Sequence, residues 1–146
     1  MVLMAIEDSL FFEQSDIELD RDGPSYAVDT VRSLYEEYPE AEFFFIIGSD
    51  SLKELYLWKD IYSLLPLCKF ITYSRPGFDI GELTESDIFL DEPWPKRLLK
   101  DAHRGRHIEI SSSDIRYRLA EGLSIQYIVP EPVVMYIYEH GLYGSE

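Results

Sequence analysis

The sequence has a single cysteine, Cys68, so no intrachain disulfide can form and the fold rests on packing alone. Cys68 lies in the apolar run LPLCKFI, where a small buried hydrophobe is expected rather than a reactive thiol. Histidine is almost as scarce. His103, His107 and His140, with one cysteine, give no metal-ligand spacing. HRGRH at 103–107 looks like a paired-histidine motif, but its basic neighbours and loop-like flanks predict a solvated turn. Basic residues are few. Lys and Arg total 13 against 28 Asp and Glu, a formal net charge of −15. That field repels nucleic-acid backbones, and no basic arm offsets it. There is no apolar run of membrane-spanning length. MVLMAIEDSLFF lacks a basic n-region and a small-residue cleavage site, so no secretory signal is expected there and a cytoplasmic protein is the simplest reading. A Ser-His-Asp set, a nucleophile elbow and a P-loop are also missing from the sequence.

What is present is apolar enough to fold. Of the 146 residues 46% are hydrophobic, which argues against intrinsic disorder and suits one domain, 1–146. Two periodicities alternate. FFEQSDIEL (11–19) reads as a strand. Ser25 is placed to cap a helix with Val28, Val31, Leu34 and Tyr35 on its apolar face, ending before Pro39. FFFIIG (43–48) is a continuous apolar run of the kind buried in parallel sheets. SDSLKELYLW and WKDIYSLL follow as helical pieces, with Ser49 or Asp50 as cap. CKFITYS (68–74) reads as a strand and RPG (75–77) as a turn. DIFLD (87–91) and HIEI (107–110) read as further strands. Residues 92–106, with two prolines and a basic cluster, resist assignment. The last helices are expected after ISSS, ending near Gly122, and over PVVMYIYEHG. Strands alternating with helices predict an α/β domain with a mainly parallel sheet.

Ligands of such sheets bind beyond the carboxyl ends of the strands. Two loops fall there. In GSDS (48–51), Gly48 permits close backbone approach and Asp50 can accept from ribose hydroxyls. On spacing alone, a glycine turn with a helix cap is the better explanation. In ISSSDIR (110–116), Ser111, Ser112 and Ser113 precede a helix whose first N–H groups lack partners and favour anions. Arg116 offers a planar fork for phosphate. Asp114, an acid in the first turn, suits the dipole but competes with an anionic ligand. The residues alone leave a capped helix and a phosphate grip evenly matched. Trp58 can stack on a flat ring, although such a tryptophan more often belongs to the core.

Five stretches together resemble the bacterial nicotinate-nucleotide adenylyltransferases: SDIELDRDGPSYAVDTV, FFIIGSDSLKELYLWKDIYSLL, CKFITYSRPG, ISSSDIR and SIQYIVPEPVVMYIYEHGLY. They run in order across nearly the whole chain. The resemblance implies a Rossmann-like nucleotidyltransferase fold. It implies transfer of AMP from ATP to nicotinate mononucleotide with Mg²⁺, giving deamido-NAD and pyrophosphate. On that basis Ser111, Ser112, Ser113 and Arg116 hold the ATP triphosphate. Gly48 and Asp50 line the nucleotide site, with Arg75 near the adenine. Trp58 stacks on the pyridine ring, and the Lys59 N–H meets the nicotinate carboxylate. Tyr26 and Ala27 form the facing wall. Relatives usually carry threonine where this chain has Ala27, so a hydroxyl contact is lost there. No metal-binding side chains, nucleic acid or membrane are implied.

The sequence departs from the family at the front. The family opens with a strand and a glycine-rich loop ending in His-x-Gly-His, whose histidines bind ATP phosphates, and no segment here matches it. MVLMAIEDSLFF resembles the middle of the family's chain. The expectation is therefore an incomplete domain lacking its first two strands, from truncation or a start assigned too late, with very low activity by itself. FFEQSDIEL would then lose its neighbour, and FFFIIG would face an empty slot. Different strand pairing, or a homo-oligomer in which another copy lends a surface, is expected. The alternatives are a non-catalytic nucleotide-binding or regulatory module and an acidic scaffold whose serine loop is only a cap.

Overall fold

A computed structural model describes residues 1–106 and 108–144. The chain forms two compact units. One spans Asp16–His107; the other combines Met1–Ser15 with Ile108–Glu146.

The first unit is α/β. Helix α2 (Ala27–Glu37) precedes strand β1 (Phe44–Gly48), helix α3 (Ser49–Glu54), a 3₁₀ turn (Leu55–Leu57) and helix α4 (Ile61–Leu64). Strand β2 (Lys69–Tyr73), helix α5 (Trp94–Lys100) and the short strand β3 (Ala102–His103) complete it. The three strands form a parallel sheet in the order β1-β2-β3. Phe45 registers with Phe70, and Ile47 with Thr72. Strand alternation puts these four residues on one face. Phe45 and Phe70 stack at 5.4 Å, and Trp58 packs edge-on against both. Val28 and Val31 of α2, with Leu52, Leu55, Ile61 and Leu64, bury into the same core. The predicted helical spacing of α2 is therefore realised, and the helix stops at Tyr38, just before Pro39.

The second unit holds α1 (Val2–Ile6), α6 (Ser112–Ala120) and α7 (Glu131–Glu139). Its core is Leu119, Ile125, Val133, Val134 and Ile137. Gly122 ends α6 at φ +67°, a left-handed position that favours glycine, and the Leu123 N–H returns to the Arg118 carbonyl at 2.7 Å. Pro132 sits in the first turn of α7, as the sequence predicts.

Several expected elements are absent. Residues 11–19 form no strand: 12–16 are irregular and 17–19 make a turn. Leu10, Phe11, Phe12 and Leu19 are largely exposed, because an extended segment without a pairing neighbour gains neither ladder bonds nor burial. DIFLD (87–91) forms no strand, and its first residue, Asp87, ends a 3₁₀ turn at Glu85–Asp87 fixed by a reciprocal Thr84–Asp87 capping box. Of HIEI, residues 108–110 form no strand and His107 lies outside the described residues. The third strand is instead Ala102–His103, which follows helix α5 in the stretch that resisted assignment. Ser25 does not cap α2. Its hydroxyl donates to the Glu18 carbonyl, and Tyr26 holds the N-cap position. β1 pairs on one side only among the described residues, and its outer face leaves Phe44 51% and Ile46 67% exposed.

Cys68 is buried, as expected, and its thiol donates to the Leu64 carbonyl at 3.8 Å. Burial pushes the thiol pKa up to about 11 from 9.0. The folded state thus prefers the protonated thiol. Its contribution is complete below pH 9 and is lost as pH rises towards 11. Urea denaturation of wild type and Cys68→Ala should show a stability difference that is constant to pH 9 and then shrinks. A difference that stays flat through pH 10.5 would contradict the burial of this thiol.

Candidate functional site

The carboxyl end of β1 turns directly into α3 through Gly48 and Ser49. Ser49 is fully buried. Its hydroxyl donates to the Phe78 carbonyl at 2.6 Å and accepts from the Arg75 N–H at 3.0 Å. One side chain thus ties the end of β1 to the turn that leaves β2. Serine at a helix start suggests a cap, and neither Ser49 nor Asp50 makes a cap bond; this cross-strand role has no local sequence signal.

Arg75 lies over Gly48. A Cβ there would fall 2.5 Å from Arg75 Nε and 2.3 Å from Asp50 Oδ1. The close approach that Gly48 permits is occupied by these two side chains. Arg75 Nη1 faces Asp50 Oδ2 at 3.5 Å. Asp50 Oδ1 is buried and has no hydrogen-bond partner among the described residues. An acceptor in that condition carries an uncompensated desolvation cost and is ready for a donor. Gly48, Asp50 and Arg75 therefore converge at one strand end.

A second cluster gathers Tyr26, Ala27, Trp58 and Lys59. Tyr26 and Ala27 open α2, where the first N–H groups have no helical acceptor. Lys59 Nζ sits 4.0 Å from the centre of the Tyr26 ring and 3.1 Å from Asp29 Oδ2. Asp29, in the first turn of α2, was not singled out by the sequence, although an acid at that position of a helix is a recognised signal. The Lys59 N–H has no acceptor among the described residues. Asp60 next to it adopts φ 50° and pairs with Arg32 at 3.0 Å. A Ser63 hydrogen bond and Arg32 hold its carboxyl below the usual range. Trp58 is half-buried, and its contacts with Phe45 and Phe70 make it part of the core wall as well as a rim residue.

The third cluster belongs to the other unit. Ser111 is the N-cap of α6, and its hydroxyl accepts from the Asp114 N–H at 3.1 Å. Arg116 Nη2 donates to Ser113 Oγ at 3.3 Å. The serines and Arg116 are exposed and share one helix start. Capping consumes one of the free N–H groups; those of Ser112 and Ser113 still lack an intrahelical partner. In HRGRH, His103 ends β3, the exposed Arg104 pairs through Nε with Asp79 Oδ1 at 3.3 Å, and residues 104–106 belong to no helix or strand, while His107 lies outside the described residues. Among the described residues no three His, Cys, Asp or Glu side chains are grouped to hold a metal ion. None of the described helices is long and apolar enough to cross a membrane.

A parallel sheet whose strand ends carry a glycine turn, an acid and an arginine is the setting of a nucleotide-handling enzyme. Residues 1–118 match the cytidylyltransferase-like family, which makes the chain a nucleotidyltransferase with a Rossmann-like fold. It is 45% identical over 145 residues to the probable nicotinate-nucleotide adenylyltransferase of Desulfitobacterium hafniense strain Y51, covering 98% of this chain and 68% of that relative. The corresponding Moorella thermoacetica protein is 42% identical, covering 98% and 65%. A Plasmodium falciparum nicotinic acid mononucleotide adenylyltransferase complexed with APC superposes with a TM-score of 0.70 at 22% identity, over 98% of this chain and 72% of that one. The chain belongs to the nicotinate-nucleotide adenylyltransferase family.

Ser49→Ala removes both bonds of the strand-end tie and leaves the Phe78 carbonyl and Arg75 N–H unpaired. It should cost about 1–3 kcal/mol in urea denaturation. A cost under about 0.5 kcal/mol would show that the turn holds without it.

Proposed function

We propose that the chain supplies the substrate-holding part of an enzyme that transfers AMP from ATP to nicotinate mononucleotide, releasing pyrophosphate and deamido-NAD in NAD biosynthesis. The observation that carries this reading is the unpaired Asp50 acceptor under Arg75, at the strand end where a nucleotide binds in such sheets. In this reading Asp50 accepts from a ribose hydroxyl once Arg75 swings off Gly48 towards the adenine. Ser111, Ser112, Ser113 and Arg116 receive the triphosphate at the mouth of α6. The nicotinate ring lies on Trp58, with its carboxylate between the Lys59 N–H and the start of α2 at Tyr26 and Ala27. The Ala27 amide can still donate, whereas a threonine hydroxyl is not available.

The mononucleotide phosphate attacks the α-phosphorus in line, so the protein's work is positioning and charge stabilisation. Among the described residues no three His, Cys, Asp or Glu side chains are grouped to hold a metal, so Mg²⁺ in this reading would come with ATP and would supply charge neutralisation to its phosphates. A cytoplasmic location is part of this reading. A homo-oligomer, with a second copy covering the bare edge of β1, belongs to the same reading.

The sequence contains no His-x-Gly-His. This polypeptide alone is therefore expected to be nearly inactive, and the same fact favours, as a second reading, a non-catalytic nucleotide-binding module. An adenylyl-transfer assay of this chain, beside a longer polypeptide carrying a His-x-Gly-His segment ahead of it, separates the two. Turnover by the longer form supports the enzyme; ligand binding without turnover in both supports the module.

In the active longer form, Arg116→Ala should lower adenylyl transfer by roughly 10²-fold, the loss of one good transition-state contact. An unchanged rate would remove Arg116 from the site. Trp58→Ala should chiefly raise KM for the mononucleotide, and a pure kcat loss would contradict ring stacking.

A further inference from the structure

The other end of the sheet holds a hollow that the adenylyltransferase reading does not use. It opens where β1 and β2 begin, beside Phe43 and Lys69, opposite the strand ends that carry Gly48 and Arg75. Its volume is about 480 Å³, within the range of small-molecule pockets. The floor is apolar and buried, built by Cys68, Phe70 and Leu98. Tyr35, Phe43 and Trp94 supply flat aromatic walls.

The rim carries charge of a different sign from the molecule as a whole. Lys69 is held by Glu42 at 2.5 Å, which cancels that pair and keeps the ammonium protonated. Arg97 and Lys100 remain, three residues apart and so on one side of α5, against the single exposed carboxylate of Asp101. Neither cation has a carboxylate within ion-pair distance among the described residues. Arg97 is held 5.2 Å over the Trp94 ring, so its guanidinium is anchored at the rim rather than free in solvent. One positive charge in excess, beside an apolar aromatic recess, is complementary to a monoanion with a flat apolar body.

We propose that this hollow is a second binding site, for a small aromatic carboxylate whose ring enters between Trp94 and Tyr35 and whose carboxylate meets Arg97 and Lys100. A phosphate ester suits it less well, since a dianion would face only one excess charge and Asp101 would oppose it. A macromolecular partner would need a broad flat surface rather than a recess of this size.

The test uses 2-naphthoate as probe and two-dimensional amide NMR of the whole chain as readout. Binding with a Kd below about 1 mM is expected, with the largest shifts at Cys68, Lys69, Phe70 and along α5. The uncharged 2-naphthamide should bind about tenfold more weakly, and Arg97→Gln/Lys100→Gln should cost naphthoate about tenfold in affinity. Saturating nicotinate mononucleotide should leave these values unchanged. Cys68→Trp, which fills the floor, should abolish binding; if it does not fold, the rim variant decides, because both its residues are exposed. Equal affinity for acid and amide, or an unaffected rim variant, would overturn the proposal. So would shifts confined to Tyr26, Trp58 and Lys59, which would place the probe in the nicotinate cluster instead.

Discussion

The parallel pairing of β1 with β2, locked by the Phe45–Phe70 stack, is the interaction on which the rest of the structure depends. Parallel strands cannot be joined by a tight turn, so the α3–α4 crossover must pack back on the sheet to bring them together. Leu52, Leu55, Ile61 and Leu64 do that packing, all of them buried. The register they impose sets Gly48 beside Tyr73. It thereby puts Ser49 within reach of the turn at Arg75–Phe78. The strand-end site is a geometric result of core packing several residues away.

Much of this was legible in sequence, because the signals were local. The apolar run FFIIG, the spacing of Val28 and Val31, and Pro39 after α2 each act over a few residues and each has a direct physical reading. The serines ahead of α6 are similar: their cap is a local bond between Ser111 and Asp114. The expectations that the structure overturns depend on partners far away. FFEQSDIEL has strand composition, but a strand exists only where another edge accepts it. HIEI fails in the same way, and the third strand is a two-residue piece following a helix. The tie made by Ser49 spans 29 residues to Phe78, and the Lys59–Asp29 pair spans 30, so neither leaves a pattern in the chain.

The candidate site divides along the same line. The sequence points to Gly48, Asp50 and Arg75 separately, and their convergence is visible only in three dimensions. There Gly48 gains a reason beyond flexibility: it makes room for Arg75 and Asp50. Trp58 has two duties, since the ring expected to receive a substrate also closes the core against Phe45 and Phe70. Such sharing couples the pocket to the stability of the sheet.

The bare outer face of β1 has a consequence for behaviour in solution. Phe44 and Ile46 are adhesive, while the net charge of −15 holds copies apart. Electrostatic repulsion reaches roughly 30 Å at about 0.01 M salt and only about 3 Å in molar salt. Contact between apolar edges needs no such reach. Salt therefore removes the restraint without weakening the adhesion, and the polypeptide is kept dispersed by low ionic strength.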